Sequence, residues 1–313
     1  MALNTLTCTN DGANTGFGDC FVDIKGLVKA FIAPLSTSYG VNETATSSQF
    51  LISLNRDILE AKSKRIYPIG GFVNITENSS EPTAETFGLT GGLRIVREGK
   101  TDLTFQFVDG GLCLSKSLRK FNGKKYGIFF ADSGPNGISK VLGTKSGNNL
   151  KPIPLEMIYT PPFKFDIGTA GSVYSVRMVF DPMYLNDAPG WVEMPIVDVL
   201  GLNGLQDVVL TKQTATLPAV KVTAKVGCAQ VDLYDLYATE LAVVGAWYAY
   251  NKSTGNRITI SSVAVDTNIK GWTLTLDSAD PDYSISNIAV NLESPTALNL
   301  LGVKGFEGIA IEI

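Results

Sequence analysis

The chain has no histidine. That absence removes the side chain most often used as a general acid or base near neutral pH. Ser-His-Asp triads and Cys-His dyads are excluded, as is any His-ligated metal site, and the balance shifts toward a structural or binding role. Charge is scarce as well: Asp, Glu, Lys and Arg make up 18% of the 313 residues, below the usual value of about a quarter. There are four cysteines, Cys8, Cys20, Cys113 and Cys228, and no two form a CxxC, so no zinc site is expected. Cys8 and Cys20 bracket a Gly/Asn/Thr-rich loop and could approach one another, but in a reducing compartment isolated, mostly buried thiols are the expectation. No apolar run approaches the roughly 20 residues of a membrane span. The opening MALNTLTCTNDG has neither a basic n-region nor an apolar h-region, which predicts no signal peptide and a cytosolic product.

What is present is apolar and rich in turn formers. Hydrophobic residues reach 44% and glycine 31 positions, which suits a β-rich protein with much surface buried against other subunits. The net charge of −4 argues against sequence-independent binding to phosphate backbones. From residue 216 onward there are 6 Lys+Arg against 10 Asp+Glu, whereas residues 1–215 hold 20 of each. All of the net charge therefore sits in the C-terminal third, marking it as the more solvated part.

The length suits two domains. Residues 1–20 lack apolar periodicity and read as an extended arm, pinned to a neighbour rather than disordered. Ser47–Lys64 is the one strongly amphipathic helix. Ser47 or Ser48 caps it, Phe50, Leu51, Leu54, Ile58 and Leu59 form its apolar stripe, and Lys62, Lys64 and Arg65 complement its C-terminal dipole. Period-two patterns follow, as in Asp102–Val108, where Leu103, Phe105 and Phe107 share a face. Further strands are predicted over 65–75, 92–98, 125–132 and 172–180, and short helices over 112–121 and 198–205. A boundary is expected at about 215/216. Beyond it, strands over 219–226, 241–250, 257–265, 271–277, 285–292 and 308–313 predict a domain of immunoglobulin-like size, with Trp247 and Trp272 as core anchors.

The candidate chemistry is thin. Gly16-Phe-Gly18 and Gly91-Gly92 match neither a P-loop nor a dinucleotide fingerprint and read as turns. Asp277, Asp280 and Asp282 could hold calcium, but without an EF-hand pattern a solvated turn is favoured. Lys116, Arg119, Lys120, Lys124 and Lys125 form the densest basic patch, interleaved with Phe121 and Tyr126 as in a single-strand binder. The balanced charge around them favours a patch facing acidic residues of a neighbouring subunit, with Arg65, Arg94 and Arg97 serving the same end. Arg65, Arg97, Lys116, Arg119 and Phe121 are thus the candidate inter-subunit contacts. No cofactor, metal or catalytic residue is assigned.

The tract RIYPIGGFVNIT…EPTAETFG…IVREGKTDLTFQF…GGLCLSKSLRKFNGKKYGIFF (65–130) resembles virion structural proteins from tailed phages of Bacteroidetes, including crAss-like phages. MVFDPMYLND (178–187), GWTLTLDSADPDYS…GVKGFEGIAIEI (271–313) and the opening MALNTLTCTNDG…GFGDC carry the same resemblance. It implies a mainly β fold: a tail-tube-like barrel or sandwich domain over 21–215 with one amphipathic helix, followed by an immunoglobulin-like sandwich over 216–313. It also implies a non-enzymatic subunit of a virion tail, assembled in the host bacterial cytoplasm. Its partners would be other copies of itself in a ring, hexameric in tail tubes, together with other tail proteins and DNA in unspecific transit. Two alternatives stand beside it. One is an adhesin whose exposed Trp191 or Trp272 meets sugars; the other is an enzyme working through Asp280 and Asp282.

Overall fold

The computed structural model describes residues 4–5, 26–87, 92–97, 99–107, 111–162, 174–181, 189–227 and 230–313. The protein is mainly β and built from open sheets, with no closed barrel among the described residues. No helix among them is long and apolar enough to cross a membrane. The chain forms two compact units, Met1–Asn203 and Gly204–Ile313. The break falls at 203/204 rather than 215/216 because Gln206–Thr216 is a strand of the second unit.

The first unit contains β1 (Asn4–Thr5), β2 (Leu27–Ala33), β3 (Tyr67–Gly70), β4 (Phe72–Glu77), β5 (Thr83–Phe87), β6 (Gly92–Arg97) and β7 (Asp102–Phe107). It continues with β8 (Gly127–Asp132), β9 (Ile138–Ser146), β10 (Asn149–Lys151), β11 (Ile153–Tyr159), β12 (Tyr174–Phe180) and β13 (Pro189–Pro195). Its helices among the described residues are α1 (Val41–Thr44), α2 (Ser47–Leu59), α3 (Gly111–Arg119) and α4 (Ile196–Gly201). The main sheet runs β1-β13-β9-β8-β11-β12-β7-β4, with β2 and then β3 on the opposite side of β8. β8 is the hub. One of its edges is taken by β2, and the other is shared by β9 at Phe130–Ala131 and β11 at Gly127–Ile128.

β8 (GIFFAD) and β2 (LVKAFIA) show no alternation of polar and apolar residues because both of their faces are covered. Ala30, Ile32, Ile128 and Phe130 face one core with Phe105, Phe107, Val176, Met178 and Phe180. Their neighbours Phe31, Ala33, Phe129 and Ala131 face a second core with Phe50, Leu54 and Ile58 of α2, as a period of two requires. Each fully buried Phe, Ile or Leu contributes on the order of 1.5–3 kcal/mol of transfer free energy. Where β9 bends away to pair with β10, Gly143 is required: a Cβ there would run into the Lys151 carbonyl oxygen and the Phe129 ring.

α2 is capped by Thr46, whose Oγ1 accepts from the Gln49 amide at 3.2 Å, rather than by Ser47 or Ser48. It also stops earlier than expected, with Glu60 already extended. The expected arm reaches its own chain, since Asn4 and Thr5 pair with Trp191 and Gly190 of β13. Cys113 in α3 is disulfide-bonded, against the expectation of isolated thiols, and Cys8, Cys20 and Cys228 lie outside the described residues.

The second unit is a two-sheet sandwich. One sheet runs β18 (Ile260–Asp266), β19 (Gly271–Leu276), β15 (Ala219–Val226), β14 (Gln206–Thr216), β21 (Phe306–Ile309). The other runs β17 (Arg257–Ile258), β16 (Trp247–Asn251), β20 (Ile288–Leu292), β22 (Ile311–Glu312). In order of sequence this is the immunoglobulin arrangement of an ABED sheet facing a CFG sheet with one added strand. The last strand is divided: β21 runs parallel to β14, and β22 antiparallel to β20. A single core fills the space between the sheets, and Trp247 and Trp272 anchor it with ring centroids 5.6 Å apart. Their indole N–H groups donate to the carbonyls of Leu241 and Ala238, at 2.7 and 3.0 Å. Residues 241–246, expected as the start of a strand, instead form a turn and a one-turn 3-10 helix (Val244–Ala246); the two carbonyls come from the stretch that follows a short helix, α5 (Leu233–Tyr237).

Candidate assembly surfaces

The basic patch is built by α3 and the turn after it. Leu118 and Ser115 are buried, which leaves Lys116, Arg119 and Lys120 exposed. The amides of Lys120, Phe121 and Asn122 then donate to the carbonyls of Ser117, Leu118 and Arg119. Gly123, at φ +72°, completes the reversal, a backbone conformation that costs glycine little. Asn122 pins the turn to the end of β11: its side chain donates to the Thr160 carbonyl at 3.0 Å and accepts from the Thr160 amide at 2.8 Å.

This geometry turns Phe121 inward. It packs edge-on against Tyr67 and Tyr126, with centroids 4.9 and 5.1 Å away, and is buried. Phe121 is therefore a core residue and neither a subunit contact nor a stacking surface for a base. Arg65 is likewise spent internally. Only 4% of it is exposed, and its Nε donates to the Glu60 carbonyl at 2.8 Å, closing the C-terminus of α2. Lys116 and Arg119 remain on the surface, with Lys124 and Lys125 beside them in sequence and also exposed. Arg97 ends β6 opposite Thr83; its side chain and that of Arg94 lie outside the described residues.

Two backbone features add to this surface. β4 closes the main sheet with no strand on its outer side among the described residues, and Val73 on it is 56% exposed. After β4 the chain forms the hairpin β5–β6, a two-stranded sheet of its own on which Ile95 is exposed. An uncovered edge offers a row of N–H and C=O groups to another strand.

A cleft of about 640 Å³ opens between the 78–83 segment and strands β7, β11 and β12. Lys100 Nζ lies 2.5 Å from both carboxylate oxygens of Glu156. Arg177 Nε donates to both oxygens of Asp102, at 3.0 and 2.9 Å, and Asp102 in turn holds the guanidinium pKa above its ordinary value. Glu156 and Asp102 thus each face a cation, and Glu81 also lines the cleft. Lys100 and Asp102 stand just before and at the start of β7, Glu156 in β11 and Arg177 in β12, three segments far apart in sequence, and no local pattern announces them.

No protein-family model matches the chain, and no curated protein matches it in sequence.

The remaining sequence candidates have structural partners. Asp280 accepts from the amides of Thr259 and Asp282 at 2.8 and 3.0 Å, the Asp282 donor weighing most, and these bonds hold its carboxyl below the usual range. Asp277 accepts from the Ala279 amide, and Asp282 from the side chains of Thr254 and Asn256. The three carboxylates therefore brace turns. No group of three or more His, Cys, Asp or Glu that could hold a metal ion occurs among the described residues. Trp272 is fully buried, whereas Trp191 is half-buried with its indole nitrogen inside.

Proposed function

We propose that the chain is a structural subunit of a bacteriophage tail tube or tail ring, which closes with copies of itself around a lumen through which DNA passes. The observation that carries this reading is the open sheet of the first unit. It ends in β4, which has no strand on its outer side among the described residues, and is followed by a separate hairpin, Thr83–Arg97. Heterologous contacts of edge to edge close into a ring when their rotation fits, and closure removes the exposed edges. The resemblance of 65–130 and 271–313 to virion proteins supports the same assignment.

The surface around the cleft adds to this support. Its cations are matched by carboxylates, so DNA sliding past would find few unpaired positive groups to release its counterions. Lys116 and Arg119 are then contacts to acidic residues of the next copy. The tail is the site of action, other tail proteins are neighbours, and assembly takes place in the host cytoplasm.

The test is the mass and symmetry of the purified particle. Native mass spectrometry and negative-stain microscopy are expected to show closed rings of identical subunits. A stable monomer under assembly conditions would sink the reading.

A further inference from the structure

The sequence contains three Asn-Gly pairs, Asn122–Gly123, Asn136–Gly137 and Asn203–Gly204. An asparagine before glycine is prone to lose its side-chain amide, because glycine has no Cβ to shield its nitrogen and lets the backbone turn toward the side chain. The structure protects two of the three pairs, each in its own way.

Asn122 is locked by its side chain. Its Nδ2 donates to the Thr160 carbonyl at 3.0 Å, and its Oδ1 accepts from the Thr160 amide at 2.8 Å. The side chain cannot swing toward Gly123 without giving up both bonds. Asn136 is locked by its backbone. Its φ of 59° and ψ of 25° are left-handed, and this ψ carries the Gly137 nitrogen to the far side of the Cα–C bond from the side chain. The turn that imposes it is closed by the Ile138 amide, which donates to the Pro135 carbonyl. Asp132 braces the same turn, its Oδ1 accepting from the amides of Gly134 and Lys140 at 3.2 and 2.6 Å.

Asn203 has neither protection. Before it, Leu202 ends α4 with its side chain buried and its amide donating to the Val199 carbonyl at 3.2 Å. After it, β14 begins at Gln206, whose amide donates to the Gly305 carbonyl at 2.8 Å. Residues 203–205 are thus held at both ends. Asn203 is exposed, and neither its side chain nor the Gly204 amide makes a hydrogen bond among the described residues.

We propose that Asn203 is a spontaneous modification site, at which the chain loses ammonia and the residue becomes aspartate or isoaspartate. The Gly204 nitrogen attacks Cγ of Asn203. The N–Cγ bond forms, the proton of that nitrogen passes to the leaving amide group, and the Cγ–Nδ2 bond breaks to release ammonia. Water then opens the five-membered imide at either carbonyl, and nothing is oxidised or reduced. Opening at the main-chain carbonyl gives isoaspartate, which routes the backbone through Cβ and lengthens it by one methylene. Either product adds a negative charge to a chain of net charge −4. The change falls where the chain passes from the first unit to the second. The proposal does not depend on assembly into rings.

The test is peptide mapping by mass spectrometry after incubating the full chain in mildly alkaline buffer, both folded and in urea. In urea all three pairs are expected to convert at similar rates. In the folded protein, conversion at Asn203 is expected to run about tenfold or more ahead of Asn122 and Asn136, which must first open locally. Gly204→Ala should slow conversion at Asn203 and leave the other two unchanged. An Asn203 that stays intact in the folded protein, that converts no faster than the other two, or that is not slowed by Gly204→Ala would overturn the proposal. The folded and urea samples use the unaltered protein, so they decide even if the variant fails to fold.

Discussion

The two units solve the problem of burying a sheet in different ways. In the first, β2 and β8 lie in the middle of three layers and divide the apolar side chains into two cores. In the second, two sheets enclose one core and every strand has a solvent side. The difference decides where the apolar side chains go, and edges stay open in both. The sandwich stitches its last strand into both sheets yet still ends in β17 and β18, and the three-layer unit ends in β4, with no further strand beside any of them among the described residues.

The largest expected effect tests whether the two cores are independent. Trp272→Ala should destabilise the second unit by about 3–5 kcal/mol, and Phe129→Ala the first by a similar amount, the usual cost of emptying a buried aromatic site. Calorimetry should show two transitions, of which each variant lowers one. Transitions that move together would mean that the units fold as one. A smaller loss, about 1–3 kcal/mol, is expected for Gly143→Ala, which forces β9 off the Lys151 carbonyl and affects the first unit alone.

Titration should separate the units at opposite ends of the pH scale. Burial lowers the pKa of Lys29 from 10.5 to about 8. Between those values the unfolded chain holds a proton that the folded one has shed, so the first unit gains stability as pH rises through that window. Lys29→Met should flatten the rise. Above pH 10 the trend reverses, because burial and then the nearby Asp57 carboxylate hold the Tyr39 hydroxyl well above its ordinary value. The second unit responds in acid. The Lys221 ammonium, 2.6 Å from Asp266, and the amides around Asp280 keep both carboxyls below 3.8. Their contribution is complete above that value and is lost as pH falls through the lowered ones. With no histidine, chemical denaturation between pH about 6 and 8 should show little change in either unit.

The smallest expected change in stability belongs to the charge reversal Lys116→Glu with Arg119→Glu. Both side chains are exposed, so the shift should stay within about 0.5 kcal/mol. If they bridge copies, sedimentation should nonetheless show the rings lost. Intact rings would remove these two residues from the interface.

Legibility in the sequence followed burial geometry. Strands with one wet face showed themselves: Phe105 and Phe107 of β7, and the alternating Val220 and Val222 of β15, are where their spacing puts them. The stripe of α2 and the two tryptophan anchors were equally plain. β14 was hidden because its outer half, Lys-Gln-Thr-Ala-Thr, is polar and is held by backbone pairing to β15. Residues 241–246 read as a strand from their apolar content, but they form a turn and a 3-10 helix in which the Leu241 carbonyl holds the Trp247 indole. Phe121 and Arg65 were misplaced because sequence gives no direction: a turn at Gly123 sends one ring inward, and a helix end takes up one guanidinium. The cleft around Asp102, Glu156 and Arg177 depends on sheet order, which no local window contains.

The parallel pairing of β14 with β21 has a mechanical consequence. Gln206–Val209 enters the second unit beside Phe306–Ile309, with both segments pointing the same way. Tension drawn through the unit from its two termini pulls these neighbours in opposite directions along their length. The load then falls on all the rungs at once, as in a lap joint, instead of parting them one at a time like a zip. In a single-molecule pulling experiment the unit should give way in one abrupt high-force event.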